Sequence, residues 1–149
     1  VERHRMTKNI GLALVKGYGF FGGAIGMTIS HDSHNLVVLG DDDESMRMAA
    51  LKLREIQGGI VLVVGHDVYD YLPLEIGGLM TQKDYRMVEA KLDRLSKQVK
   101  KMGMSDEIGD PFLSLAFLSL PVVPELKLTD KGLFDVNKFQ IIPMEVTQD

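Results

Sequence analysis

His31-Asp32-Ser33-His34-Asn35 places two imidazoles, a carboxylate, a hydroxyl and a carboxamide on five consecutive residues. An imidazole titrates near neutral pH, so His31 or His34 can move a proton, and Asp32 can orient a neighbouring ring. Ser33 and Asn35 carry donors and acceptors suited to the edge of a polar heterocycle. The three-residue spacing also lets His31 and His34 converge on a metal, with Asp32 as an oxygen ligand. A catalytic zinc, however, takes three protein ligands with their own supporting partners. Only His4 and His66 remain as histidines, and the chain has no cysteine, so no metal site is assigned within it. A structural reading stands beside the functional one: the five residues cap strand ends and bond to one another, as polar loops between strands commonly do. Residues 31–35 are therefore the substrate-pocket candidates, with site and scaffold both open.

Positioning such a loop requires two strands. The apolar runs on either side predict strands at about 24–30 and 36–40. Ile10 to Val15 alternates large and small residues and predicts another. Asp41-Asp42-Asp43 offers a helix N-cap, and Met46, Ala49, Ala50, Leu53 and Ile56 recur at helical spacing up to Gly58-Gly59. Ile60–Val64 and Val68–Leu72 flank a short turn and predict a hairpin. Thr81 and Asp84 resemble a capping box, and Tyr85, Val88, Leu92, Leu95, Val99 and Met102 line one face of a long helix stopped by Gly103. Periodicity leaves 112–120 open between helix and strand. Thr129 to Gly132 reads as a tight turn, and 133–139 as a short surface element. The sum is a single α+β domain, a mostly antiparallel or mixed β-sheet covered by two main helices.

Composition excludes several classes. The net charge of −4 argues against a general nucleic-acid binder, which needs a basic field. No apolar run approaches the ~20 residues of a membrane span. Gly17-Tyr18-Gly19-Phe20-Phe21-Gly22 spells a dinucleotide fingerprint, but a strand rather than a helix follows it. Asp41 to Glu44 lacks the spaced ligands and the glycine of a calcium loop. The chain opens on Val1, and the expectation is a piece of a longer protein.

Four segments, taken together, are family-specific. They are Gly23-Ala24-Ile25 leading to the 31–38 string, Gly58 to Val63, Leu72 to Met80, and Pro111-Phe112 through Pro121-Val122-Val123-Pro124-Glu125-Leu126-Lys127-Leu128-Thr129-Asp130. Their order and spacing resemble the C-terminal domain of bacterial and archaeal adenine deaminases, in the amidohydrolase superfamily. Glu2-Arg3-His4 and Val15 to Gly19 fit the same pattern. The resemblance implies hydrolysis of adenine to hypoxanthine and ammonia. It also implies a divalent metal (manganese, iron or zinc) held by an N-terminal barrel domain of the same polypeptide. Such a barrel takes ~250 residues, and the H-x-H metal motif is absent here. Residues 1–149 are thus expected to be the appended domain alone, inactive by itself. It would dock on the barrel and complete the pocket through the 31–35 loop. A cytoplasmic homo-oligomer is the expected setting, without nucleic-acid or membrane partners. The alternative is a stand-alone small-molecule-binding or oligomerisation domain without catalytic activity.

Overall fold

A four-stranded antiparallel sheet with helices on both faces carries the loop, in a computed structural model that describes residues 1–144. Its strands are β1 (Gly23–Met27), β2 (Val37–Gly40), β3 (Gly59–Val64) and β4 (Asp67–Pro73), in the order β2-β1-β3-β4. Helix α1 (Asp43–Glu55) follows β2, and α2 (Tyr85–Lys101) and α3 (Pro111–Phe117) follow β4. A separate antiparallel meander, β5 (Leu126–Thr129), β6 (Gly132–Asp135) and β7 (Gln140–Ile142), ends the described chain.

Both faces of the sheet are covered, which explains the unbroken apolar run of β3. Ile25, Met27, Ile60 and Leu62 face α2 and α3, where Leu95, Val99, Phe112 and Leu115 meet them. Ala24, Val61 and Val63 face α1, where Ala49 and Leu53 pack. Gly26 leaves room for Leu53: a Cβ there would lie 3.0 Å from the Leu53 Cδ1. Helix α1 starts at Asp42, whose carboxylate accepts from Ser45 N at 2.8 Å, with Asp43 and Glu44 favourable in the first turn.

Two expectations change, and one open segment is settled. Ile10 to Val15 forms no strand, and it makes no backbone hydrogen bond among the described residues. Gly11 lies so close to Thr129 that a Cβ would clash with its carbonyl, while Ile10, Leu12 and Leu14 turn outward. The long helix is capped by Asp84, which accepts from Arg86 N at 2.9 Å, so Thr81 is not its N-cap. The cause is local: Thr81 spends its hydroxyl on Lys83 N, in the turn before the helix. The open segment 112–120 resolves as helix α3 up to Phe117, with Pro111 in its first turn and Asp110 as its cap. Among the described residues no helix is long and apolar enough to cross a membrane.

Helix α2 is tied to β4 by a charge cluster. Asp70 accepts from Lys91 Nζ at 2.7 Å and lies 3.5 Å from Arg94 Nη1. Burial pushes the Asp70 carboxyl up, but the Lys91 hydrogen bond, the Tyr71 N–H and the two cations outweigh it and hold it below the usual range. A carboxyl depressed in the folded state contributes stability above its unfolded pKa of about 4, and loses it as pH falls through the folded value. Asp70→Asn should therefore lower unfolding free energy near neutral pH by about 1–3 kcal/mol. Urea titrations should show the gap from wild type closing below about pH 4. A gap that stays constant down to acid pH contradicts this assignment.

Candidate functional site

Strand β1 ends at Met27, and the next residues are anchored before the loop departs. Thr28 Oγ1 donates to Gly78 O at 2.6 Å and accepts from Gly59 N at 2.9 Å, fully buried. The buried Ser30 spans the loop's base: its Oγ donates to Asn35 O at 2.8 Å, and its carbonyl accepts from His34 N at 2.6 Å. His34 adopts a positive φ of 50°, which closes the turn.

Each predicted residue has a distinct position. The His31 ring stacks at a tilt on Phe117, 5.6 Å between centroids, and its carbonyl accepts from Ser119 Oγ at 3.3 Å. Asp32 stands at the tip with its side chain 84% exposed, 4.0 Å from His31 Nδ1. Ser33 is exposed, and its hydroxyl accepts from Asn35 N at 3.4 Å. His34 is half-buried, with Nδ1 buried and unpartnered among the described residues. Asn35 Oδ1 accepts from Arg3 N at 3.4 Å. The rings of His31 and His34 meet edge to face at 6.0 Å. Among the described residues no three His, Asp or Glu side chains converge as a metal would require.

Further residues that fix the loop lie about thirty positions earlier in the sequence. Arg3 Nε donates to His34 O at 2.6 Å, and its Nη2 to Gly77 O at 2.8 Å. One guanidinium thus bridges the 31–35 loop and the 74–80 segment. His4 Nε2 donates to Ser33 O at 2.9 Å, since a carbonyl only accepts, and lies 3.1 Å from His34 O. Glu2 folds this strip into a compact loop: its carboxylate accepts from the N–H groups of His4, Arg5 and Thr7 and from Thr7 Oγ1. Desolvation acts against the charged Glu2, but these donors prevail and hold it down at about 2. Glu2-Arg3-His4 carried a sequence signal as a matching string, yet nothing in it pointed to residue 34.

A cleft of about 310 Å³ opens beside the loop. Asp32, Ser33 and Asn35 line one end of it, whereas His31 and His34 do not. Leu36 to Val38, Ile10 to Leu12, and Leu128 to Asp130 form much of the remaining wall, together with Val1, Met46 and Ser119. The arrangement presents a carboxylate and a hydroxyl outward on a backbone tied from both sides.

Comparison with known proteins adds a lineage to this geometry. The family described as adenine deaminase C-terminal domain matches residues 1–140. An adenine deaminase of Geobacillus kaustophilus is 49% identical over 145 residues, covering 97% of this chain and 25% of that protein. An adenine deaminase 2 of Carboxydothermus hydrogenoformans is 47% identical over the same share of each chain. That of Listeria monocytogenes is 49% identical over 147 residues, covering 98% of this chain and 25% of the relative. The chain spans about a quarter of the length of the curated relatives it matches. With a match over nearly all of its length, the chain belongs to the adenine deaminase C-terminal domain family.

Proposed function

We propose that this chain is the C-terminal domain of a longer adenine deaminase, which hydrolyses adenine to hypoxanthine and ammonia. The 31–35 loop faces the catalytic domain and helps to complete its pocket. Water adds to the ring carbon that carries the amino group, and that group leaves as ammonia. The divalent ion that supplies activated water in such chemistry (manganese, iron or zinc) finds no ligand set in residues 1–144. Its ligands belong to the part of the protein outside this chain, a barrel domain on this reading. The setting is a cytoplasmic homo-oligomer.

One observation carries the role of the loop: Asp32 is 84% exposed at the tip of a turn whose backbone is held by Arg3, His4, Ser30 and Ser119. A loop that only capped strand ends would turn its polar side chains back onto the strands. Here backbone carbonyls take most of the bonds that hold the loop, Ser33 Oγ and Asn35 Oδ1 each accept one backbone N–H, and the Asp32 carboxylate is left free to meet a group on another domain. A carboxylate on a fixed backbone can accept a substrate N–H or orient a proton carrier at reduced ordering cost. Ser33 and Asn35 shape the rim beside it, while the His31 and His34 rings pack against Phe117 and each other.

Two measurements test this reading. In the longer protein, Asp32→Asn should lower kcat/KM for adenine by roughly 10- to 100-fold, in the range of a lost positioned acid–base or hydrogen-bonding group, with thermal stability unchanged. Wild-type kinetics in that variant would remove the loop from the pocket. The 149-residue chain alone, supplied with adenine and manganese, should release no ammonia; steady release would place the chemistry inside this domain.

A further inference from the structure

Strand β2 is the outer strand of the four-stranded sheet, and its far side is only partly covered. Asp41 N donates to Gly23 O across the β1–β2 pair. Alternation along an antiparallel ladder then puts Ile25–Leu39 and Met27–Val37 in the hydrogen-bonded positions. The peptide groups of Leu36, Val38 and Gly40 therefore point away from β1. Leu36 uses both of its outward groups on Val1. The Val1 nitrogen donates to Leu36 O at 2.7 Å, and Leu36 N donates to Val1 O at 3.0 Å. Such a mutual exchange is one rung of an antiparallel ladder. The next outward groups, on Val38 and Gly40, have no hydrogen-bond partner among the described residues.

The cleft described above lies along this edge. Its walls there are Val37, Val38 and Met46 on one side and Ile10, Leu12 and Leu128 on the other. Val38 lines this slot, where an unpaired peptide group is unfavourable, and an open edge strand is a template for another strand. The Val1 amine is desolvated in this position, which lowers its pKa.

We propose that the polypeptide preceding Val1 in the longer protein continues this rung into a fifth strand along β2. The register follows from the Val1–Leu36 pair. The second residue before Val1 pairs with Val38, the third lies opposite Leu39, and the fourth pairs with Gly40. The occupant follows from the reading of the chain as a C-terminal domain, on which this inference rests. The relatives are about four times as long and the matching family is a C-terminal domain, so on that reading the rest of the protein precedes Val1. The added strand fills the apolar slot and satisfies the open edge. It also couples the preceding domain to the strand from which the 31–35 loop hangs.

Cysteine cross-linking in the longer protein reads the register directly. This chain contributes no cysteine of its own. Leu39→Cys is combined with cysteine at the third or at the second residue before Val1. Residues opposite each other in a non-hydrogen-bonded pair have Cα atoms ~4.5 Å apart, within disulfide reach, whereas the neighbouring side chain points to the other face. The third-position pair should oxidise at least ~10-fold faster than the second-position pair, with the link identified by mass spectrometry. Amide exchange at Val38 and Gly40 should also be ~100-fold slower in the longer protein than in the 149-residue chain. Equal or absent cross-linking, with exchange at Val38 and Gly40 as fast as in the short chain, overturns the fifth strand. Adenine deamination by the reduced variants separates the two readings. Activity without a cross-link sinks the strand alone, and a cross-link in a protein inert toward adenine sustains the strand while sinking the assigned reaction.

Discussion

Burial of β1 on every side is the constraint on which the rest of this domain depends. All five of its residues are buried, between β2 and β3 in the sheet and between α1 and the α2–α3 layer across it. A strand so enclosed must fit side chains to both layers at once. Ile25 and Met27 fill the larger cluster, while Gly23 and Gly26 keep the backbone close to its neighbours. A Cβ on Gly23 would lie 2.1 Å from Val63 O, which no L side chain tolerates without movement of β3. The strand's exit is fixed in turn by Thr28, whose hydroxyl joins Gly59 and Gly78. The point from which the 31–35 loop leaves the core is therefore set by packing, not by the loop itself.

Rigidity of the loop comes from a second source, the strip at residues 1–4. Arg3 presents a planar fork of donors, and here two of them reach carbonyls more than 40 residues apart in sequence, at His34 and Gly77. A lysine could not hold both. The carboxylate of Glu2 organises the strip by accepting several N–H groups. Its low pKa keeps that role intact across the ordinary pH range. The polar loop is thus a preorganised surface, clamped from the amino end and braced by Phe117 and Ser119 from the carboxyl end.

Much of this was legible in the residues, for identifiable reasons. The β3–β4 hairpin is bounded by Gly65 and carried by β-branched runs, and it forms around Gly65-His66 as the spacing requires. Helix α1 and its Asp42 cap follow from local chemistry in the same way. Ile10 to Val15 misled because alternation does not report whether a partner strand lies alongside, and this segment makes no backbone hydrogen bond among the described residues. Gly11 packs against Thr129, and the large residues face out. The five polar residues of the loop stood out by composition, and three of them line the cleft. Arg3 and His4 stood out only as part of a matching string and not for their role, since their partners in the loop are backbone carbonyls about thirty residues away, and a carbonyl has no letter in the sequence. Contacts of side chain to distant backbone are the part of a site that residue types alone cannot announce.

The central claim is that the tip of this loop meets another domain of the same enzyme. Carbodiimide labelling of carboxylates, read by mass spectrometry, tests it at Asp32 itself. Asp32 is 84% exposed in this chain and should label readily there. In the longer protein its labelling should fall several-fold, while that of exposed Asp93, on the outer face of α2, stays the same. Equal labelling of Asp32 in both proteins would leave the loop facing solvent and contradict the account.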